Sequence, residues 1–136
     1  MTMWTRQTFG DDLIVPGQRI GGFILGRTAA EILPEGSSAT IADWSSRYNV
    51  GVELSPQTRL TDLSTGHGKY HTEEGFKVGT EWNTVTGTWG EPSEIYPVEG
   101  DGMFDFRATY GDRGIDFAVN EGRVLYIGVF AVETLQ

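Results

Sequence analysis

The sequence predicts an α+β protein: two tandem helix-plus-β-hairpin repeats forming one antiparallel sheet, with helices packed on one face. Three observations predict it. Leu25-Gly26-Arg27-Thr28-Ala29-Ala30-Glu31-Ile32-Leu33 is echoed by Val78-Gly79-Thr80-Glu81-Trp82-Asn83-Thr84-Val85. Val50-Gly51-Val52-Glu53-Leu54, followed by Arg59-Leu60-Thr61-Asp62-Leu63, is echoed by Arg113-Gly114-Ile115-Asp116-Phe117, followed by Arg123-Val124-Leu125-Tyr126-Ile127. Each copy reads as a glycine turn, a short helix, a strand, a turn and a strand. The third observation is size: 136 residues form one ordinary domain. The expectation is a single domain over 1–136, with repeat one at about 13–74 and repeat two at about 75–136.

The elements follow in order. Leu13-Ile14-Val15 is a short apolar strand stopped by the turn pair Pro16-Gly17. Ile20 to Leu25 leads into a first helix. Thr28, three residues before Glu31, has the spacing of a capping box, and Pro34 ends the helix early. Residues 35–43 read as irregular, with Trp44 as an anchor. Tyr48 to Leu54 is a strand whose Val50, Val52 and Leu54 share one face, and Leu60 to Thr65 returns after the turn Ser55-Pro56-Gln57-Thr58.

In the second copy Thr80 is the expected N-cap, and Glu81 suits the first turn of the helix. Trp82, Val85 and Trp89 form one apolar stripe, and Gly90 with Pro92 gives the stop. Thr84, Thr86, Gly87 and Thr88 are poor helix formers, so this helix depends on burial of its tryptophans. Residues 91–102 read as acidic and turn-rich, and they supply most of the roughly ten residues by which copy two exceeds copy one. Met103 to Tyr110 is a strand. Gly114 to Val119 pairs with Arg123 to Val132 across Asn120-Glu121-Gly122. The last strand is apolar on both faces, which places it in the sheet interior or under a helix.

Composition narrows the function. The net charge is −9; residues 1–74 contribute −3 (six Lys/Arg, nine Asp/Glu) and residues 75–136 contribute −6 (four and ten). Such a field repels nucleic acid and anionic membranes and attracts cationic partners. There is no cysteine, which excludes disulfides and thiolate chemistry. No run approaches the ~18 apolar residues that span a bilayer, and no apolar leader follows a basic start. The expectation is a cytoplasmic protein with neither nucleic-acid nor membrane partners.

Catalytic and metal signatures are sparse. His67 and His71 would lie roughly 13 Å apart along a strand, too far for one ion. Glu99-Gly100-Asp101-Gly102 with Asp105 matches a calcium loop poorly. No Gly-x-Ser-x-Gly, phosphate loop, dinucleotide fingerprint or zinc spacing occurs. Among nineteen acids some pair always lies close, so carboxylate pairs alone do not indicate a hydrolase. The chain is therefore expected to be non-catalytic, with no cofactor and no metal.

Ile20-Gly21-Gly22-Phe23-Ile24-Leu25-Gly26, Val78-Gly79-Thr80 with Trp89-Gly90-Glu91-Pro92, and Gly114-Ile115-Asp116-Phe117 with Gly122-Arg123-Val124 together resemble the β-lactamase-inhibitor-protein-like superfamily. That group includes inhibitor proteins and small envelope lipoproteins of the SmpA/OmlA type. The resemblance covers most of residues 14–132. It implies helices on one sheet face and a partly open, aromatic-rich face that binds protein partners. The absence of cysteines and leader departs from the secreted inhibitors and from the lipoproteins, and looks more like a bacterial toxin immunity protein.

The functional expectation is thus an inhibitor or immunity protein that neutralises a toxin or enzyme through its sheet face and acidic loop. A basic partner surface is expected. The candidate contact residues are Tyr96, Glu99, Asp101, Phe104 and Asp105, then Tyr48 and Tyr70, because acids speed encounter and aromatics hold the complex. A small-molecule carrier or sensor is the alternative, followed by a carboxylate-dependent hydrolase.

Overall fold

The computed structural model describes residues 11–33, 38–97 and 104–132. Among these, ten strands and three helices run in the order β1 (Leu13–Val15), β2 (Arg19–Ile20), β3 (Phe23–Ile24), α1 (Ala29–Ile32), α2 (Ile41–Tyr48), β4 (Gly51–Leu54), β5 (Leu60–Thr65), β6 (His71–Thr72), α3 (Trp82–Trp89), β7 (Glu94–Pro97), β8 (Phe106–Tyr110), β9 (Ile115–Asn120) and β10 (Arg123–Phe130). The α+β content is as expected, but the strands form two sheets and not one. A six-stranded antiparallel sheet has the order β4-β5-β10-β9-β8-β7, and a small sheet has the order β3-β2-β1-β6. The small sheet exists because the Pro16-Gly17 turn folds β2 back on β1, while β6 pairs with β1 in parallel, Leu13 opposite His71. That pairing spans most of the first half of the chain and leaves no local signature.

The helices differ in how well they match expectation. Thr28 and Glu31 form the predicted capping box, and α1 is a single turn. Helix α2 begins inside the segment expected to be irregular. It is nucleated by a second capping box, in which Thr40 accepts from the Asp43 amide and the Asp43 carboxylate accepts from the Thr40 amide. Trp44 is buried by this helix, which displaces the start of the following strand from Tyr48 to Gly51. Helix α3 begins at Trp82 with Glu81, not Thr80, as N-cap and without a side-chain cap. Thr80 instead accepts from the Lys77 amide through Oγ1 at 2.9 Å, closing the turn before the helix.

One core joins these layers. Phe117, Ile115 and Val119 of β9, Ile127 and Val129 of β10 and Leu63 of β5 point into it from the large sheet, and Ile14, Ile20 and Phe23 enter from the small one. Trp82 and Trp89 both pack on Phe117, with centroids 5.7 and 6.2 Å away. This supplies the burial that the poor intrinsic propensity of α3 requires. β10 lies inside the sheet, as its apolar sequence implies. A bulge between Val124 and Tyr126 explains the excess of outward apolar residues, because Leu125 and Tyr126 are consecutive residues outside the core while Val124 and Ile127 are buried.

Two junctions share the same hydrogen bonds. At the first, the Gly26 amide donates to Leu60 O (2.9 Å), the Leu60 amide to Arg27 O (2.9 Å) and the Ala29 amide to Thr58 O (3.0 Å), while the Arg59 guanidinium donates to Gly26 O (2.7 Å). At the second, the Gly79 amide donates to Val124 O (2.8 Å), the Val124 amide to Thr80 O (2.9 Å) and the Trp82 amide to Gly122 O (2.8 Å), while the Arg123 guanidinium donates to Gly79 O (2.9 Å). Each junction clamps a glycine turn, at the entrance to a helix, onto the returning strand of a hairpin.

Candidate functional site

Helices and the small sheet share the core with one face of the six-stranded sheet, and alternation of side chains sends the remaining residues to the other face. Strand pairing places Gly51, Ser64, Gly128, Asp116, Thr109 and Glu94 in one row across all six strands. A neighbouring row runs Tyr126, Ala118, Arg107, Tyr96, and on the other side Phe130 lies opposite Asp62, itself opposite Glu53.

The middle row is small, so the face is hollow there. A groove of about 280 Å³ is lined by Ser64, Asp116, Arg107, Tyr126, Asp62 and Phe130, among others. Its floor depends on two glycines: a Cβ on Gly51 would lie 2.9 Å from Ser64 Oγ, and one on Gly128 would overlap the Asp116 carboxylate. Glycine within a strand often marks such a close approach.

Asp116 is the half-buried acid of the groove. Burial pushes its pKa upward; Arg107 opposes that, the Asp62 charge adds to it, and the Gly128 amide opposes it. Arg107 is held firmly charged by the Tyr126 hydroxyl first, then by Asp116 and the neighbouring tyrosines. No ion pair engages Asp116, Asp62 or Glu53: the two ion pairs among the described residues are Arg19–Asp11 and Arg123–Glu81. The groove therefore carries three carboxylates against one guanidinium, and it can accept hydrogen bonds from a cationic donor.

The expected contact residues divide between the two sides of the molecule. Tyr96 is 50% exposed beside Arg107, and its hydroxyl donates to the Glu94 carboxylate, which raises its pKa. Phe104 meets the Tyr126 ring edge-on at 5.7 Å, so it joins the same end of the open face. Asp105 fastens the β9–β10 turn, since its carboxylate accepts from the Glu121 amide at 2.9 Å. Glu99 and Asp101 lie outside the described residues.

Tyr48 and Tyr70 belong to the helix side. Tyr48 packs against Trp44 at 5.2 Å and Phe23 at 6.4 Å. Tyr70 is 3% exposed, and its hydroxyl donates to Tyr48 O at 2.6 Å; burial pushes its pKa up to about 12. The expectation of Tyr70 as a surface contact is therefore corrected. Its glycine-flanked, charged surroundings in sequence conceal a ring that closes the core.

A wider hollow of about 750 Å³ opens where the β1–β2 turn approaches α3. Three of its side chains are engaged with one another: the Arg113 guanidinium stacks on Trp89 at 4.3 Å, and Trp89 Nε1 donates to Glu74 at 3.3 Å. The sheet groove, with unpaired charge and exposed aromatic neighbours, is the better candidate. Sequence reasoning missed its central residues, Asp116, Arg107 and Tyr126. The available signal was the pair of glycines, Gly51 and Gly128, inside otherwise regular strand patterns.

Compared with protein-family models, curated proteins and solved structures, the chain matches none. Among the described residues no helix is long and apolar enough to cross a membrane.

Proposed function

We propose that this chain is a non-catalytic protein-binding module of the inhibitor or immunity type, docking on a basic partner, such as a toxin or enzyme, through the open face of the six-stranded sheet. The observation that carries the reading is the asymmetry of that sheet. One face is packed with core residues, while the other presents Tyr96, Phe104, Arg107, Tyr126 and uncompensated carboxylates around a groove. Aromatic residues and arginine are the side chains that dominate binding energy at interfaces, and an acidic surround speeds encounter with a basic surface.

The two equivalent junctions support a duplicated helix-plus-hairpin unit, with copies at about 13–74 and 75–136, as the resemblance to β-lactamase-inhibitor-like proteins implies. The net charge of −9 is in keeping with a cationic partner.

The test is titration against the purified product of the adjoining gene in the source genome, by calorimetry and by association kinetics at low and high salt. Tyr96→Ala combined with Phe104→Ala should weaken binding by about tenfold to a hundredfold. Association should slow as salt rises. A complex whose affinity ignores both substitutions overturns the open-face reading, and a small molecule that raises the melting temperature in a ligand screen would favour the carrier alternative.

A further inference from the structure

We infer that the groove on the open face is a receptor for a single cationic side chain, an arginine or lysine presented by the partner, with the Asp116 carboxylate as its acceptor. The inference rests on the docking reading above and adds the chemistry of the contact.

Three observations point to a cation. The groove is built: glycine at 51 and 128 and serine at 64 keep its floor low, in the row that contains Asp116. The volume, about 280 Å³, exceeds what one long side chain fills, and the walls are the Tyr126 ring on one side and the Phe130 ring on the other. Aromatic walls suit the flat face of a guanidinium or the stem of a lysine. Finally, the charge is unbalanced. Asp116 shares the groove with Arg107 from β8, Asp62 from β5, Glu53 from β4 and Tyr126 from β10, while Glu94 and Tyr96 lie one strand beyond Arg107's β8, on β7. Arg107 is the one cation in this set, and it is shared with the Tyr126 hydroxyl. A second cation entering the groove would complete the pairing.

Burial already disfavours the ionised form of Asp116 in the free protein. A cation beside it would reverse that, so binding is coupled to release of a proton. Affinity should be constant where Asp116 is ionised in the free protein and should fall about tenfold per pH unit below that point.

The experiment uses the full chain, isotopically labelled, and capped pentapeptides Gly-Gly-X-Gly-Gly with X as arginine, lysine or glutamine. The arginine or lysine peptide should shift the amides of Gly51, Ser64 and Gly128 saturably and lower the midpoint of the Asp116 carboxyl titration; the glutamine peptide should do neither. Asp116→Asn, close in shape, should weaken the response at least tenfold. The inference is overturned by equal response to glutamine, by shifts that persist in Asp116→Asn, or by shifts still linear at about 10 mM peptide. Loss of the peptide effect with partner affinity still sensitive to Tyr96 and Phe104 would remove this inference and leave the docking reading standing. A peptide effect with partner affinity insensitive to them would remove the docking reading.

Discussion

Gly17 and Gly114 touch backbone to backbone: the Gly17 amide donates to the Gly114 carbonyl at 3.1 Å, and a Cβ on Gly114 would lie 2.6 Å from Gly17 Cα. This contact locks the β1–β2 turn of the small sheet to the start of β9 in the large one.

Gly114→Ala should therefore be severely destabilising. The residue has φ +76°, and its added methyl would also meet the Phe130 carbonyl. Left-handed strain and overpacking together should cost about 3 kcal/mol or more. Gly26→Ala is the control, with φ +85° but nothing within 4 Å of the new methyl; it should cost only about 1–2 kcal/mol. Urea midpoints at unchanged slope measure both, and equal losses would show that the contact between the sheets does not matter.

Arg59 and Arg123 should contribute alike through their bonds to Gly26 O and Gly79 O. Each Arg→Ala substitution should cost about 1 kcal/mol. Glu81 pairs with Arg123 at 3.3 Å, but both side chains are more than half exposed. Glu81→Gln should change stability by less than about 0.5 kcal/mol, because an exposed pair contributes little. A large Glu81 effect that salt abolishes would shift the weight from the carbonyl bond to the ion pair.

Helix α3 should be lost with its tryptophan stripe. Trp82 meets Phe106 at 5.8 Å as well as Phe117, so Trp82→Ala should cost about 3–5 kcal/mol. Amide exchange at Gly90, which donates to Thr86 O, should accelerate as far as global unfolding allows. A helix that remains protected while the protein is destabilised would show that α3 does not need this anchor.

Asp116→Asn should stabilise the protein at neutral pH. The folded-state pKa of Asp116 lies above its ordinary value of 3.8, with burial the largest cause. The folded protein thus binds the proton more tightly than the unfolded chain does. Below 3.8 the acid carries no penalty; the penalty grows as pH rises through the folded pKa and is constant above it, each unit of difference being worth about 1.4 kcal/mol. The advantage of the variant over the native chain should follow that course in pH-dependent denaturation. Wild-type stability that rises relative to the variant over the same window would refute the assignment.

The sequence disclosed what local chemistry controls. The Thr28–Glu31 box, the stop at Gly90 and the Glu121-Gly122 turn are written in consecutive residues, and they appear where expected. Helix α2 was legible too, in Thr40 with Asp43 and in the spacing of Ile41, Trp44 and Tyr48, but its serines and flanking polar residues obscured the pattern. Strand β7 was not legible: all four of its residues are exposed at a sheet edge, so no alternation of burial marks it. The site was hidden for a different reason. Asp116, Ser64 and Gly128 meet through the register of three strands, and register depends on pairing between distant segments.

One seam of the large sheet joins β5 to β10, and the small sheet has a seam of its own where β1 meets β6. Both seams stitch the part of the chain before Gly66 to the part after it. A backbone nick among Gly66, His67 and Gly68 would leave two pieces, each with bare strand edges that only the other can seal. The architecture thus lends itself to reassembly from separately made fragments, and a reporter split there would light up only when both pieces meet.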